Sequence, residues 1–181
     1  MKLYLISGKA RCGKNTVASI IENYYNEQGL KAIQTSYSKY IKLFAHEITG
    51  WNMQDEETKP RTLLQRIGTE VIREGLNKEY IFVNRMIEDI EIYENLVDVV
   101  IINDVRFPIE IDRIKEYYKN AVSINVKRIN FENDLNEKER AHATETALDN
   151  YENFDYIIIN DTLNKLKEDC LKLVEGIDKN E

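Results

Sequence analysis

The chain has 181 residues, which is long enough for one domain with a substantial hydrophobic core. Its net charge of −7 and isoelectric point near 5.1 argue against a general nucleic-acid surface, although a few local cations suffice to bind small anions. The chain has no run of about 18 apolar residues, so no membrane span is predicted. Its two cysteines are distant in sequence, which favours a reducing, cytoplasmic setting over a disulfide framework.

The first motif is a loop bracketed by Gly8 and Gly13, between a predicted strand over 2–7 and a predicted helix over 15–28. The strand begins too near the first residue to leave room for a signal peptide. Glycine permits backbone angles closed to other residues, so the amides of such a loop can turn inward around phosphate oxygens. The N-terminus of the following helix adds its own N–H groups. This arrangement predicts a phosphate-binding loop in which Lys14 reaches β- and γ-phosphates.

The residue after Lys14 departs from the usual pattern of such loops. Ser or Thr, whose hydroxyl binds Mg²⁺, usually stands there, whereas this chain has Asn15 and places the hydroxyl of Thr16 one position later. An amide oxygen can also bind a hard cation, and a metal can be held through water. The sequence therefore leaves open which of the two binds metal. A glycine-rich turn with an incidental lysine is the plainer alternative for the whole loop.

The region after the loop is predicted to be mainly helical. It opens with a short strand over 31–35 and contains one irregular polar stretch, 51–60, whose acidic run Asp55-Glu56-Glu57 is expected to be solvated. Helical periodicity is found over about 38–49, 61–75 and 79–92.

The strongest strand signal is the segment 97–102, which is apolar except for Asp98 and is typical of a central strand buried on both faces. Asp104 follows it closely, and Pro108 opens a helix predicted over 108–118. Acidic residues at the carboxyl ends of strands in an α/β sheet lie in the ligand crevice. Asp104 is therefore a candidate site residue, and capping of the turn before Pro108 is its structural alternative.

The rest of the chain completes an alternation of strands and helices. Strands are predicted over 121–126 and 154–159, a helix over 162–176, and a charged, partly helical excursion over 127–150. Alternation of this kind favours parallel strands with helices on both faces. We therefore predict an α/β fold, a three-layer α/β/α sandwich around a five-stranded parallel sheet.

Four blocks of the sequence carry a family resemblance, and they span most of the chain. The most distinctive is Asp104-Val105-Arg106-Phe107-Pro108-x-Glu110 after a buried strand. The others are Gly8-Lys9-Ala10-Arg11-Cys12-Gly13-Lys14-Asn15-Thr16, then Leu64-Gln65-Arg66-Ile67-Gly68-Thr69-Glu70 with Arg73, and His142-Ala143-Thr144-Glu145-Thr146-Ala147-Leu148-Asp149. Together they resemble the P-loop nucleoside monophosphate kinases, and more narrowly the deoxynucleoside monophosphate kinases of bacteriophages and their relatives in bacterial genomes.

The resemblance implies a single P-loop kinase domain over 1–181. An acceptor-binding region at 36–92 and a short lid at 127–150 interrupt its core. The core then comprises residues 1–35, 94–126 and 151–181.

The resemblance also implies a reaction, the transfer of the γ-phosphoryl group of ATP to a (deoxy)nucleoside monophosphate, with Mg²⁺ as cofactor. Lys14 would hold the donor phosphates, Asp104 would organise Mg²⁺ and its waters, and Arg106 would reach the acceptor phosphate. A lid arginine would stabilise charge in the transition state, with Arg140 as the first candidate and Arg128 as the second. His142 is expected to be structural, and Glu145 to orient a neighbour.

The remaining binding residues follow from the same resemblance. The ATP-binding candidates are the loop residues Gly8, Lys9, Ala10, Arg11, Cys12, Gly13, Lys14, Asn15 and Thr16. The acceptor-binding candidates are Ser36, Tyr37, Gln65, Thr69, Arg73 and Arg106. The metal candidates are Asn15, Thr16 and Asp104.

Two other functions stay open at this stage. One is a P-loop kinase for a different phosphorylated metabolite, which would share the scaffold and differ in the acceptor pocket. The other is a nucleotide-binding module without turnover. Small-molecule nucleotides are the expected partners, nucleic acid and membrane are not, and the aromatic residues expected at the surface allow a homodimer without requiring one.

Overall fold

The computed structural model describes residues 1–55, 57–131 and 135–179. Residue 56 of the predicted acidic run, residues 132–134 of the predicted lid and residues 180–181 lie outside the described residues. The strands of the described part are β1 Lys2–Ser7, β2 Ala32–Thr35, β3 Val99–Val105, β4 Val122–Arg128 and β5 Tyr156–Asn160. They form one parallel sheet in the order β2-β3-β1-β4-β5, which confirms the predicted five-stranded parallel sheet.

The helices connect these strands in the predicted order. In the described residues they are α1 Lys14–Glu27, α2 Lys39–Thr49, α3 Arg61–Gln65, α4 Ile81–Tyr93, α5 Pro108–Tyr117, α6 Glu137–Ala141, α7 Ala143–Thr146 and α8 Leu163–Lys179. The described helices include none that is long and apolar enough to cross a membrane.

Side chains of β1 point alternately into two separate cores. Leu3 and Leu5 pack in the core beneath α2, α4 and α5, whereas Tyr4 and Ile6 pack in the core beneath α1 and α8. A strand sends successive side chains to opposite faces of its sheet, so a run of apolar residues is buried on both. Helices therefore cover both faces, which confirms the predicted α/β/α sandwich.

The predicted helix over 61–75 is α-helical only at its start. α3 ends at Gln65, and the chain continues as a π-helical segment, Arg66–Gly75. Within it, Gly68 lies so close to α2 that an added Cβ would be 2.7 Å from Cδ1 of Ile41. π-helical turns are rare and are often found at functional sites. This one lies with its backbone close against α2 at Gly68.

β3 extends further than predicted, and its end is irregular. It reaches Val105, so Asp104 lies within the strand and not after it. From Leu5 to Ser7 β1 advances two residues while β3 advances three, from Ile102 to Val105. Such bulges change the direction of side chains and are common beside active sites. The irregularity here falls at Asn103 and Asp104.

The predicted excursion over 127–150 begins later than expected, because β4 continues through Arg128. Its described part contains two short helices, α6 and α7, and His142 stands between them. The imidazole of His142 accepts a hydrogen bond from the amide of Thr144 at 3.2 Å and so caps α7. This contact agrees with the structural role expected for His142.

Candidate active site

The predicted phosphate-binding loop joins β1 to α1, and its backbone requires glycine at two points. Gly8 has a φ of +140° and Gly13 a φ of +108°, values that residues with a side chain rarely adopt. An added Cβ at Gly8 would lie 2.4 Å from the carbonyl oxygen of Val126, and one at Gly13 would lie 2.6 Å from Nδ2 of Asn160. The glycine spacing is therefore fixed by the close approach of β4 and the end of β5 to the loop.

Lys14 begins α1 and lies beneath the loop, with 9% of the residue exposed. Its ammonium group donates hydrogen bonds to the carbonyl oxygens of Gly8 at 2.9 Å and Lys9 at 2.8 Å. Burial, and after it the neighbouring Arg106 cation, lower the pKa of Lys14 to about 8. Its direct partners are neutral carbonyls, so an anion in the loop would supply a missing counter-charge.

A cavity of about 710 Å³ opens beside this loop at the carboxyl edge of the sheet. This volume lies within the range of small-ligand sites. One end is formed by the loop and the turn after β5, through Ala10, Arg11, Gly13, Lys14, Asn15, Thr16, Asn160, Asp161 and Leu163. The other end is formed mainly by α2, α3 and their neighbours, through Tyr37, Ser38, Ile41, Lys42, Lys59, Arg61, Leu64, Gln65, Arg73, Phe107 and Glu110. Asp104, Arg106, Arg128, Thr144 and Glu145 also line it.

Asp104 holds the turn that precedes α2. Its Oδ1 accepts the amide N–H of Tyr37 at 2.7 Å, and its Oδ2 accepts that of Ser38 at 2.9 Å. These amides precede α2 and would otherwise lack partners at the beginning of the helix. The carboxylate thus links β3 to the turn after β2, and each oxygen still has lone pairs that can face the cavity.

Arg106 stands between the loop and α7. Its guanidinium group donates to the carboxylate of Glu145 at 2.7 Å and to the carbonyl oxygens of Gly8 and Thr144, both at 3.2 Å. The other oxygen of Glu145 accepts the N–H of Ala10 at 2.8 Å. Glu145 therefore contacts two neighbours, the Arg106 guanidinium and the loop backbone. Its expected role in orienting a neighbour stays a prediction.

Arg73 lines the cavity, but its guanidinium group is held from within the protein. It donates to the Glu110 carboxylate at 2.8 Å and to the carbonyl oxygen of Gly68 at 2.9 Å. It also lies between the rings of Phe82 and Phe107, at 4.7 and 4.3 Å from their centres. These contacts leave Arg73 less available to a substrate than the sequence predicts.

Glu110 is buried and serves several partners. Its second oxygen accepts the N–H groups of Arg106 at 2.7 Å and Phe107 at 3.2 Å, and so caps α5. Its backbone carbonyl accepts the hydroxyl of Tyr37 at 2.7 Å. Burial raises the pKa of Glu110 to about 7, and the Arg73 cation opposes this rise. One buried carboxylate thereby holds together Arg73 and the turn that carries Arg106.

The three metal candidates are compatible with magnesium. Asn15, Thr16 and Asp104 all line the cavity, and each offers an oxygen, which is the ligand type that Mg²⁺ prefers. The described residues contain no group of three or more His, Cys, Asp or Glu side chains arranged around a metal. Mg²⁺ in phosphoryl-transfer sites needs no such cage, because waters and phosphate oxygens complete its coordination.

Not every predicted site residue reaches the cavity. Gly8, Lys9, Cys12, Ser36 and Thr69 do not line it. Arg140 does not line it either; it is exposed, and its Nε donates to the carbonyl oxygen of Leu135 at 2.9 Å. Arg128, the second lid candidate, does line the cavity, donates to the carbonyl oxygen of Arg11 at 3.3 Å and lies over the ring of Phe131.

The sequence prediction missed several residues that line the cavity, among them Asn160, Glu110 and Lys42. Asn160 donates to the carbonyl oxygen of Cys12 at 2.8 Å and so supports the loop from β5. Glu110 stands in a recognised block, but its role depends on Arg73, which is distant in sequence. Lys42 lies in the middle of a helix with ordinary amphipathic spacing, so no local signal distinguishes it from a solvated lysine.

The fold and this site define a class of protein. A parallel five-stranded sheet with helices on both faces, and a glycine-bracketed loop with a buried lysine beside a polar cavity, are features of a P-loop kinase fold. A family model described as deoxynucleotide monophosphate kinase matches residues 25–170, and the chain belongs to this family of kinases. A search of curated proteins found no match. The matched region begins after the loop, so the assignment of the loop depends on its own geometry.

Proposed function

We propose that the protein transfers the γ-phosphoryl group of ATP to a (deoxy)nucleoside monophosphate and so forms the diphosphate. The observation that carries this proposal is a set of cations along one cavity, with Lys14 at the loop, Arg106 beside it and Lys42 on α2. Transfer between two phosphate-bearing substrates brings two polyanions together, and the site must neutralise both. The family description gives the acceptor class as a deoxynucleotide monophosphate.

The donor would occupy the loop end of the cavity. Residues 8–16 would surround its phosphates with backbone N–H groups, and Lys14 would exchange its bonds to loop carbonyls for bonds to phosphate oxygens. Asn15, Thr16 and Asp104 would hold Mg²⁺, directly or through water, and the metal would neutralise charge on the donor phosphates. Both oxygens of Asp104 already accept amides, which favours contact through water for that residue.

The acceptor would occupy the α2 and α3 end. Tyr37 and Gln65 line this end. The Arg106 guanidinium donates to Gly8 of the loop and to Thr144, whose hydroxyl accepts from Gln65, so Arg106 would meet the acceptor phosphate where the two substrates approach each other. The Arg106 guanidinium and the lid arginine, Arg128 or Arg140, would stabilise charge on the transferred group. Because the acceptor phosphate is already ionised, no side chain need remove a proton from it.

A coupled ADP-release assay tests the proposal most directly. The protein with Mg²⁺ and ATP would be assayed against a panel of ribo- and deoxyribonucleoside monophosphates. We expect turnover that depends on the acceptor, with at least one deoxynucleoside monophosphate as substrate. If the whole panel gives no turnover while calorimetry still detects ATP binding, the proposed reaction is wrong, and a kinase for another metabolite or a binding module without turnover becomes the better explanation.

Lys42 is predicted to bind the acceptor. It is half-buried in the cavity wall, and its ammonium group has no hydrogen-bond or ion-pair partner among the described residues. We expect Lys42→Met to raise the acceptor KM roughly 10- to 100-fold, as for loss of one charge-assisted hydrogen bond, and the ATP KM less than about twofold. Lys119→Met, at an exposed position after α5, is the control. Equal changes in both KM values would contradict the assignment.

Asn15 is predicted to be replaceable. Because a serine hydroxyl is the more usual group at this position of a phosphate-binding loop, we expect Asn15→Ser to keep kcat within about threefold and to retain Mg²⁺ dependence. The measurement is a Mg²⁺ titration of turnover at saturating substrates for both proteins. A collapse of turnover at all Mg²⁺ concentrations would show that the amide has a role that a hydroxyl cannot take.

A further inference from the structure

The carboxylate of Glu145 joins three parts of the chain that are far apart in sequence. One oxygen accepts from the Arg106 guanidinium at 2.7 Å and the other from the backbone N–H of Ala10 at 2.8 Å. These partners stand 39 and 135 residues away. The Glu145 side chain is only 6% exposed. A buried carboxylate with both oxygens engaged has a fixed orientation and acts as a pair of acceptors.

Arg106 depends on this carboxylate for its direction. Its other two hydrogen bonds go to backbone carbonyls at 3.2 Å, so they are longer and their acceptors are uncharged. No other carboxylate of the described residues forms an ion pair with it. Arginine has a long side chain with many rotamers, so holding it in one orientation needs a strong partner. Glu145 supplies that partner, and the Ala10 N–H prevents the carboxylate from rotating away.

Glu145 is itself held, because α7 is attached to the surrounding structure. Thr144 receives a hydrogen bond from Gln65 of α3 at 3.5 Å, and its amide is capped by His142. Beyond the helix, Asp149 forms an exposed ion pair with Lys9 of the loop at 2.6 Å. The segment from His142 to Asp149 is therefore fastened to both the loop and the acceptor-binding region.

We propose that Glu145 is a positioning residue of the phosphoryl-transfer reaction. It holds the Arg106 guanidinium at the junction of the donor and acceptor ends of the cavity. Its other oxygen accepts the N–H of Ala10, which fastens it to the phosphate-binding loop. This inference rests on the proposed function. Glu145 does not act as a base here, because the acceptor phosphate is already ionised and has no proton to give up.

The test is a double-mutant cycle on kcat and on the KM of each substrate. The proteins are the wild type, Glu145→Gln, Arg106→Met and the double variant. Glutamine keeps the shape of the side chain and can still accept from Ala10, but it loses the charge that holds Arg106. Asp149→Asn is the matched control, since it weakens the other attachment of the same segment without touching Arg106.

We expect Glu145→Gln to lower kcat over acceptor KM roughly 10- to 100-fold, with the ATP KM changed less than about threefold. In the Arg106→Met background the same substitution is expected to have less than about a threefold effect, because there is no guanidinium left to position. Asp149→Asn is expected to stay within about twofold of the wild type, as for an exposed ion pair.

Three outcomes would overturn the inference. If the two single effects multiply in the double variant, Glu145 acts independently of Arg106. If Glu145→Gln weakens ATP and acceptor equally and lowers Tm, its role is structural only. If Glu145→Gln has no effect, the contact is incidental. Absence of turnover in the wild type with every acceptor would instead be a failure of the proposed function, so the two failures are distinguishable.

Discussion

Replacing Lys14 with methionine is expected to lower kcat by a factor on the order of 10² to 10³, the usual effect of removing one donor that stabilises transition-state charge. The ammonium group lies beneath the loop, and its partners there are neutral carbonyls. Methionine is of similar length and is uncharged, so it fills the same space while the cation and its two hydrogen bonds to loop carbonyls are lost. Turnover would be measured at saturating acceptor, and ADP binding by calorimetry.

The control for this substitution is Lys172→Met, which removes an exposed lysine of α8 that pairs with Glu168. It should leave kcat and ADP affinity unchanged. If Lys14→Met also leaves kcat unchanged, the loop does not bind the donor phosphates, and the proposed reaction loses its donor site. If kcat and Tm both fall, and fall by equal amounts in Lys14→Met and Lys172→Met, the lower kcat reflects reduced stability and not the loss of a catalytic group.

Replacing Glu110 with alanine is expected to destabilise the protein by about 3 kcal/mol or more, because it leaves a buried guanidinium group without its carboxylate. In the native protein Arg73 is 10% exposed and Glu110 3% exposed at the side chain. The substitution also removes the acceptor for the N–H groups of Arg106 and Phe107 at the start of α5. Urea unfolding would measure the change as a lower midpoint with an unchanged slope.

Glu116→Ala on the same helix is the matched control for Glu110→Ala. Glu116 pairs with Arg113 at the surface, where its side chain is 57% exposed, so its loss should not change the urea midpoint. A midpoint for Glu110→Ala equal to that of the wild type would contradict the structural role of the Arg73 pair. Arg73 would then return to being an acceptor-binding candidate.

Much of the fold follows from patterns that are local in sequence. The strands were predictable because a parallel strand buried on both faces is a continuous apolar run, as 99–102 is. The glycine-bracketed loop between β1 and α1 was predictable for the same kind of reason, since its two glycines and its lysine lie within a few residues of one another. Phosphate binding by this loop stays a prediction. Side-chain periodicity does not determine backbone hydrogen bonding. The sequence therefore predicted a helix over Arg66–Gly75 but not its π-helical hydrogen bonding.

The site was harder to predict where it depends on pairs that are distant in sequence. The sequence gives Arg73 a helical position near other candidates, but it does not indicate the Glu110 carboxylate 37 residues away. The choice between Arg128 and Arg140 depends on where β4 ends, and the strand runs two residues beyond the predicted end, as far as Arg128 itself. Lys42 is the opposite case, because the structure distinguishes it by an ammonium group without a partner among the described residues. A lack of contacts leaves no pattern in a sequence.

The order of the strands has a consequence for how the chain is synthesised. The loop that closes on Gly13 is among the first segments to leave the ribosome, yet Ala10 and Cys12 bond to residues 135 and 148 positions later. β1 likewise pairs with β3 and β4, which are synthesised after it. At typical rates of translation, the loop is without these neighbours for roughly 7 to 30 seconds. The donor end of the cavity is therefore completed only when β5 has emerged, and a nascent chain that stops before Asn160 carries the motif without its supporting contact.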